Sequence, residues 1–161
     1  MMNSQMKKVG IIAIVALVAI AALFFVFGRD ADPKEYVRFM YGHAERFGEA
    51  WFGMVDLLNE GYGSYDTDMW LKDVERQVDY IDELCEEAIK YPKRKVPKDF
   101  RDSHELYVDA MKDIQKASNK LPKTIKKEDK LEVVELLGRM EAAYIKMEAH
   151  AEMIMSKLPG Y

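Results

Sequence analysis

Near its N-terminus the chain carries twenty consecutive residues without a charge, Val9 to Gly28, VGIIAIVALVAIAALFFVFG. A helix of that length, rising 1.5 Å per residue, reaches about 30 Å, the thickness of a bilayer's hydrocarbon core. A helix in a water-soluble core keeps a polar face, and this run has none. Residues 9–28 are therefore expected to form a single transmembrane helix, after a short cytoplasmic N-terminus of residues 1–8.

The run admits a second reading as a cleaved signal peptide, with Ala19-Ile20-Ala21 as the small-x-small site. Cleavage there would leave Ala22-Leu23-Phe24-Phe25 as an apolar new start, and the run exceeds the usual ~7–15-residue apolar region of a signal peptide. Retention as a signal anchor is the preferred reading. Lys7 and Lys8 precede the run and Arg29, Lys34 and Arg38 follow it, so the basic flanks nearly balance. The paired lysines ahead of the run place the N-terminus in the cytoplasm. The expected location is the cell membrane, single-pass, with the C-terminal domain, residues 29–161, extracytoplasmic.

Lys7 and Lys8 are two of the 24 basic residues and all 28 acidic residues follow the run, so residues 29–161 carry a net charge of −6. That balance argues against a phosphate-reading nucleic-acid binder, and 49% hydrophobic residues argue against disorder. A single cysteine, Cys85, excludes an internal disulfide framework and any multi-cysteine zinc or iron–sulfur site.

Beyond the run, four segments repeat apolar residues at helical spacing. Asp32-Pro33-Lys34-Glu35 has the form of a helix start, and Val37, Met40, Ala44, Phe47, Trp51, Met54 and Leu58 follow at alternating steps of three and four. Gly61-Tyr62-Gly63-Ser64 breaks the pattern. The second seam is Leu71, Val74, Val78, Ile81, Cys85 and Ala88, stopped by Pro92. The third begins at Pro97 and runs Phe100, His104, Tyr107, Met111, Ile114, Ser118 and Leu121. The fourth follows the capping pattern Asp129-Lys130-Leu131-Glu132 through Val133, Leu137, Met140, Tyr144, Met147, Ala151, Ile154 and Leu158. Phe39, Val55, Leu84, Val134 and Ile145 are expected to widen these seams. The fold class is all-α: one transmembrane helix, then an up-down-up-down four-helix bundle with helices at about 33–60, 67–91, 97–121 and 130–158.

In that topology the 92–96 link and the C-terminus lie next to the membrane. Lys93, Arg94 and Lys95 are candidate contacts for anionic lipid headgroups; the plainer alternative is a solvated basic loop. Tyr65 and Trp70, beside the distal link, are candidate partner contacts or a hydrophobic cap on the bundle.

The same topology brings four metal-ligating residue types to one height. His43 and His104 lie about ten and seven residues into the first and third helices, and Cys85 and His150 about six and eight before the ends of the second and fourth. All four fall ~10–13 Å from the membrane-proximal end. Imidazole and thiolate suit copper, zinc or haem. The alternative, which needs no cofactor, is a buried His104 bonded to a carbonyl, a tyrosine hydroxyl or a carboxylate. Cys85 is then a small inert core residue, and His43 and His150 are partly exposed at seam edges. There is no Glu-x-x-His pair, no Cys-x-x-Cys-His and no His-Glu-x-x-His. No nucleophile elbow or phosphate-cradling glycine loop is present, so no catalytic residues are assigned. The carboxylates Asp79, Asp82, Glu83, Glu86 and Glu87 read as a solvated helix face.

The stretch Pro97-x-x-Phe100-x-x-x-His104-x-x-Tyr107-x-x-Ala110-Met111, followed by a long amphipathic helix, resembles small membrane-anchored or lipoprotein-like helical-bundle domains of bacterial cell surfaces. The likeness covers about a third of the chain and implies an anchored helical domain, but no activity and no site residues. The expected function is a non-enzymatic, extracytoplasmic interaction or accessory module. Its expected partners are the bilayer and another membrane or envelope protein, with no nucleic acid and no cofactor. The alternative is a metal- or haem-binding envelope sensor or carrier built on the His/Cys layer.

Overall fold

The computed structural model describes residues 31–61 and 67–157. The expected transmembrane helix at residues 9–28 and the candidate contact Tyr65 lie outside the described residues. Among those that are described, no helix is long and apolar enough to cross a membrane.

Four long helices carry the fold: α1 Pro33–Gly61, α2 Thr67–Ile89, α3 Arg101–Ser118 and α5 Lys130–Ser156. A short α4, Leu121–Lys126, joins the last two, and the described residues contain no strand. The starts follow from capping. The Lys34 amide donates to Asp32 Oδ1 at 2.9 Å and the Glu132 amide to Asp129 Oδ1 at 3.1 Å, each supplying an acceptor to an amide that lacks a helical one.

Proline sets the interruptions. α2 stops at Ile89 because Tyr91 precedes Pro92, whose ring disfavours helical backbone one residue earlier. The third expected helix, 97–121, is divided. Pro97 leads a 3-10 turn, Lys98–Phe100, before α3 proper, and Pro122 ends the continuous ladder so that Leu121 begins α4. A proline has no amide to donate and its ring collides with the carbonyl four residues back.

Contacts between helices give their directions. Along α1, His43, Ala50 and Leu57 meet Leu84, Gln77 and Trp70, so the partner's number falls as α1 climbs and the pair is antiparallel. Asp82 of α2 meets Asn119 and Glu75 meets Lys126, again antiparallel. Ser103 of α3 meets Met153, and Asp99 just before α3 meets Lys157 just after α5. α5 closes the ring by packing Tyr144 on Phe47 and Trp51 of α1. The described residues thus form an antiparallel four-helix bundle, with α1 and α3 running in the same direction across its diagonal.

The core is aromatic and methionine-rich: Tyr36, Met40, Phe47, Met54, Tyr107, Met111, Met140 and Met147 are all fully or almost fully buried. Two seams differ from the expected register. In α1 His43 is completely buried while Ala44 is only half-buried, because α2 lies on the His43 side and enlarges the core-facing sector beyond a strict heptad. In α5 Leu136 is buried and Leu137 half-buried, while Val134 and Ile145 are 66% and 59% exposed instead of widening the seam. α5 turns small Ala143 toward α3, where Ala110 and Ala117 are also buried, and that rotation carries Val134 and Ile145 outward.

Candidate functional site

Two tyrosine–histidine pairs cross the bundle between α1 and α3. In the middle, His43 Nδ1 lies 2.6 Å from the Tyr107 hydroxyl and His43 Nε2 lies 2.7 Å from the Leu84 carbonyl oxygen. A carbonyl only accepts, so Nε2 carries the proton; Nδ1 is then the acceptor and the Tyr107 O–H donates to it. Every polar atom of the pair is satisfied by protein.

Nearer the start of α1, the Tyr36 hydroxyl lies 3.0 Å from His104 Nδ1. Tyr36 is completely buried and has no other acceptor for its O–H among the described residues, so it donates to Nδ1 and the His104 proton sits on Nε2. Among the described residues that N–H has no acceptor. The residue is only 5% exposed, yet it lines a surface cavity of about 340 Å³ with Lys93, Arg94, Val96, Arg101 and Glu105. Phe100 and Tyr91 pack against Tyr36, and Tyr91 lies edge-on to His104, so aromatic rings form the wall behind it.

Burial governs the electrostatics. It pushes the imidazoles of His43 and His104 below the ordinary histidine value. At His43 Arg46 adds to the fall, while the Leu84 carbonyl and Glu87 oppose it. At His104 Glu105 opposes and Lys93 reinforces. Burial raises the hydroxyls of Tyr36 and Tyr107, and pushes the Cys85 thiol up to about 12. Cys85 is therefore a neutral thiol near pH 7, unsuited to act as a nucleophile.

The sequence-derived candidates separate accordingly. His43 and His104 are not bonded to each other: each pairs with its own tyrosine, the pairs using positions seven residues apart on α1, about 10 Å, and three apart on α3, about 4.5 Å. His43 is not partly exposed as its place beside Ala44 suggests, but fully buried with both nitrogens engaged. Cys85 lies buried beside the Leu84 carbonyl that receives His43. His150 is half-buried, and its Nδ1 is the buried side-chain nitrogen without a partner among the described residues. No three His, Cys, Asp or Glu side chains among the described residues converge as a metal-ligand group.

Trp70 is half-buried and its indole N–H donates to the Leu57 carbonyl at 2.8 Å, joining the far ends of α1 and α2. Lys93, Arg94 and Lys95 form an exposed 3-10 turn. Lys95 Nζ turns to Glu35 at 3.2 Å, away from the cavity lining. Lys93 Nζ lies 3.9 Å from Glu105. A second cavity, about 290 Å³ between α3 and α5, has Lys116, Lys120, Arg139 and Lys146 on its rim, all exposed.

Comparison with known proteins finds no family model, no curated protein and no solved structure that matches this chain.

Sequence reasoning missed Tyr36 and Arg101. Tyr36 precedes the seam residue Val37, and nothing in its spacing marks a partner 68 positions away. Arg101 was legible in principle, since it stands one helical turn before His104 and so shares its face.

Proposed function

We propose that this protein is a membrane-anchored helical module that presents its bundle outside the cytoplasm and acts by binding another membrane or envelope protein, without catalysis. The anchor is the apolar run Val9–Gly28, whose length matches a bilayer and which stands five residues before Pro33. The carrying observation is the apolar surface that α1 and α5 leave open. Tyr41 and Phe52 of α1 and Val134 and Ile145 of α5 are 58%, 61%, 66% and 59% exposed. Each pair is eleven residues apart, about three helical turns, so its members share one side of their helix. Phe52 packs edge-on against Tyr144 of α5, which is itself buried and links the two rows. Large apolar side chains grouped on adjacent helices favour a protein partner, and the groove between two helices suits the apolar face of an amphipathic third.

Site-specific photo-crosslinking in native membranes tests this reading. A photoreactive residue at position 52 or 145 should give one discrete adduct, while one at position 116, on the α3/α5 side, should not. Equal labelling from all three positions, or none from any, would refute the docking face. Release of the full chain by carbonate wash would separately refute the anchor.

A further inference from the structure

We propose that the cavity beside His104 is a binding site for a phosphate ester, held by Lys93, Arg94, Arg101 and the Nε2–H of His104. The source we assign is the headgroup of an anionic phospholipid. Only that source rests on the anchored reading above; the pocket stands on its own geometry.

A cluster of surface cations alone would be a solvated loop. His104 is what changes the reading. Its Nδ1 is occupied by the Tyr36 hydroxyl, its Nε2 carries the proton, and no oxygen among the described residues accepts it. His104 lines the cavity with aromatic rings around it, so a donor there without a protein partner takes its acceptor from outside, either solvent or a ligand. At His43 the same chemistry ends on the Leu84 carbonyl. At His104 that acceptor is missing and cations surround its place.

The charges define the class of ligand. Lys93, Arg94 and Arg101 face one carboxylate, Glu105, so the lining carries two more positive charges than negative ones. Among the described residues Arg94 and Arg101 form no ion pair, and the Lys93–Glu105 pair is long at 3.9 Å. Two guanidinium groups provide planar pairs of N–H donors that match two phosphate oxygens, with the ammonium as a point charge. A volume of about 340 Å³ is at the small end for a ligand site, enough for a headgroup but not for acyl chains, which would stay outside.

Location selects the source. The cavity is at the end of the bundle where α1 begins, since Tyr36 touches His104 and Lys95 of the lining turn bonds Glu35. From Gly28 to Pro33 the chain can extend no further than about 18 Å. An anchored chain would therefore hold this cavity within reach of lipid headgroups.

The test follows the imidazole nitrogens of the full chain in a neutral detergent by NMR. It titrates inorganic phosphate in one arm and short-chain phosphatidylglycerol in another, with short-chain phosphatidylcholine as the control. Phosphatidylglycerol should shift the His104 Nε2 resonance and leave His43 unmoved. Arg101→Gln should weaken that response about tenfold or more, whereas Lys95→Gln should leave it unchanged. A response to both phosphate and phosphatidylglycerol supports the site and its assigned source. A response to phosphate alone overturns the lipid source, and no His104 response in either arm overturns the site. Carbonate extraction of the Arg101→Gln chain reports the anchor independently, so loss of the pocket and loss of the anchor are read apart.

Discussion

In the middle of the bundle Tyr107 donates to His43, and His43 donates onward to the Leu84 carbonyl. Two turns nearer the start of α1, Tyr36 donates to His104, and the relay stops at a proton with no acceptor among the described residues. The two layers share residue types, diagonal helices and the inferred tautomer. What separates them is the neighbouring helix. Behind His43, α2 is continuous and offers a backbone oxygen. Beside His104, α2 has already ended at Ile89 and the Pro92–Pro97 link opens into a cavity edged with cations. One layer is closed and structural, and the other borders the cavity.

The largest test of that contrast is truncation. His43→Ala would remove a fully buried ring and leave the Tyr107 hydroxyl without its acceptor, costing about 3–5 kcal/mol. His104→Ala should cost about 1–2 kcal/mol, because water can enter from the cavity to meet Tyr36. Chemical denaturation of the full chain in neutral detergent, followed by circular dichroism, measures both. Equal losses would show that the two layers are equally sealed and break the comparison.

Removing only the hydroxyls sharpens it. Tyr107→Phe leaves His43 Nδ1 buried and unpaired, since Nε2–H must stay on Leu84, and should cost about 1–3 kcal/mol. Tyr36→Phe leaves His104 Nδ1 without its donor but should cost only about 0.5–1 kcal/mol, because the cavity gives water a route to the ring. The same denaturation series decides the order, and a larger loss at Tyr36 would reverse the assignment of open and closed layers.

Much of this architecture is written in the sequence, but unevenly. Four seams, their capping aspartates and the prolines give the antiparallel bundle, because each is a local signal that agrees with the others. Register within a seam is weaker. Whether His43 or Ala44 faces inward depends on where α2 lies, and whether Val134 is buried depends on how closely α3 approaches the alanines of α5. The sites were legible only as residue types. His104 is singled out by its spacing, yet its meaning comes from Tyr36, and the lining cation Arg101 counts only once the Pro92–Pro97 link is folded beside it. Lys95 shows the reverse: grouped with Lys93 and Arg94 by sequence, it is drawn off by Glu35.

Proton linkage separates the layers again. Burial lowers both imidazoles in the folded chain, so below the ordinary histidine value of about 6.5 the unfolded chain binds protons that the folded chain does not. Stability is therefore full above that pH and is lost as the pH falls from it toward the lowered folded values. His43→Gln should remove the larger part of this slope, with Arg46 and Glu87 as the charged groups nearest to it. His104→Gln should remove the smaller part, and inorganic phosphate should reduce the slope in the parent chain by favouring the charged His104. Urea midpoints measured between pH 7.5 and 5 would show this, and an unchanged slope in His43→Gln would contradict it.

The smallest expected effect concerns the base of the bundle. Lys95 and Glu35 are half-exposed partners at 3.2 Å, and an ion pair in that setting contributes about 0–1 kcal/mol. Lys95→Gln should therefore leave the denaturation midpoint almost unchanged. Arg101→Gln should be equally quiet in stability, since Arg101 is exposed and makes no ion pair among the described residues. The two variants are then alike in folding and differ only in the open layer's response to phosphate. A fall of more than about 1 kcal/mol for Lys95→Gln would mean that the Glu35 contact clamps the link, and that the cavity depends on a strut outside its lining.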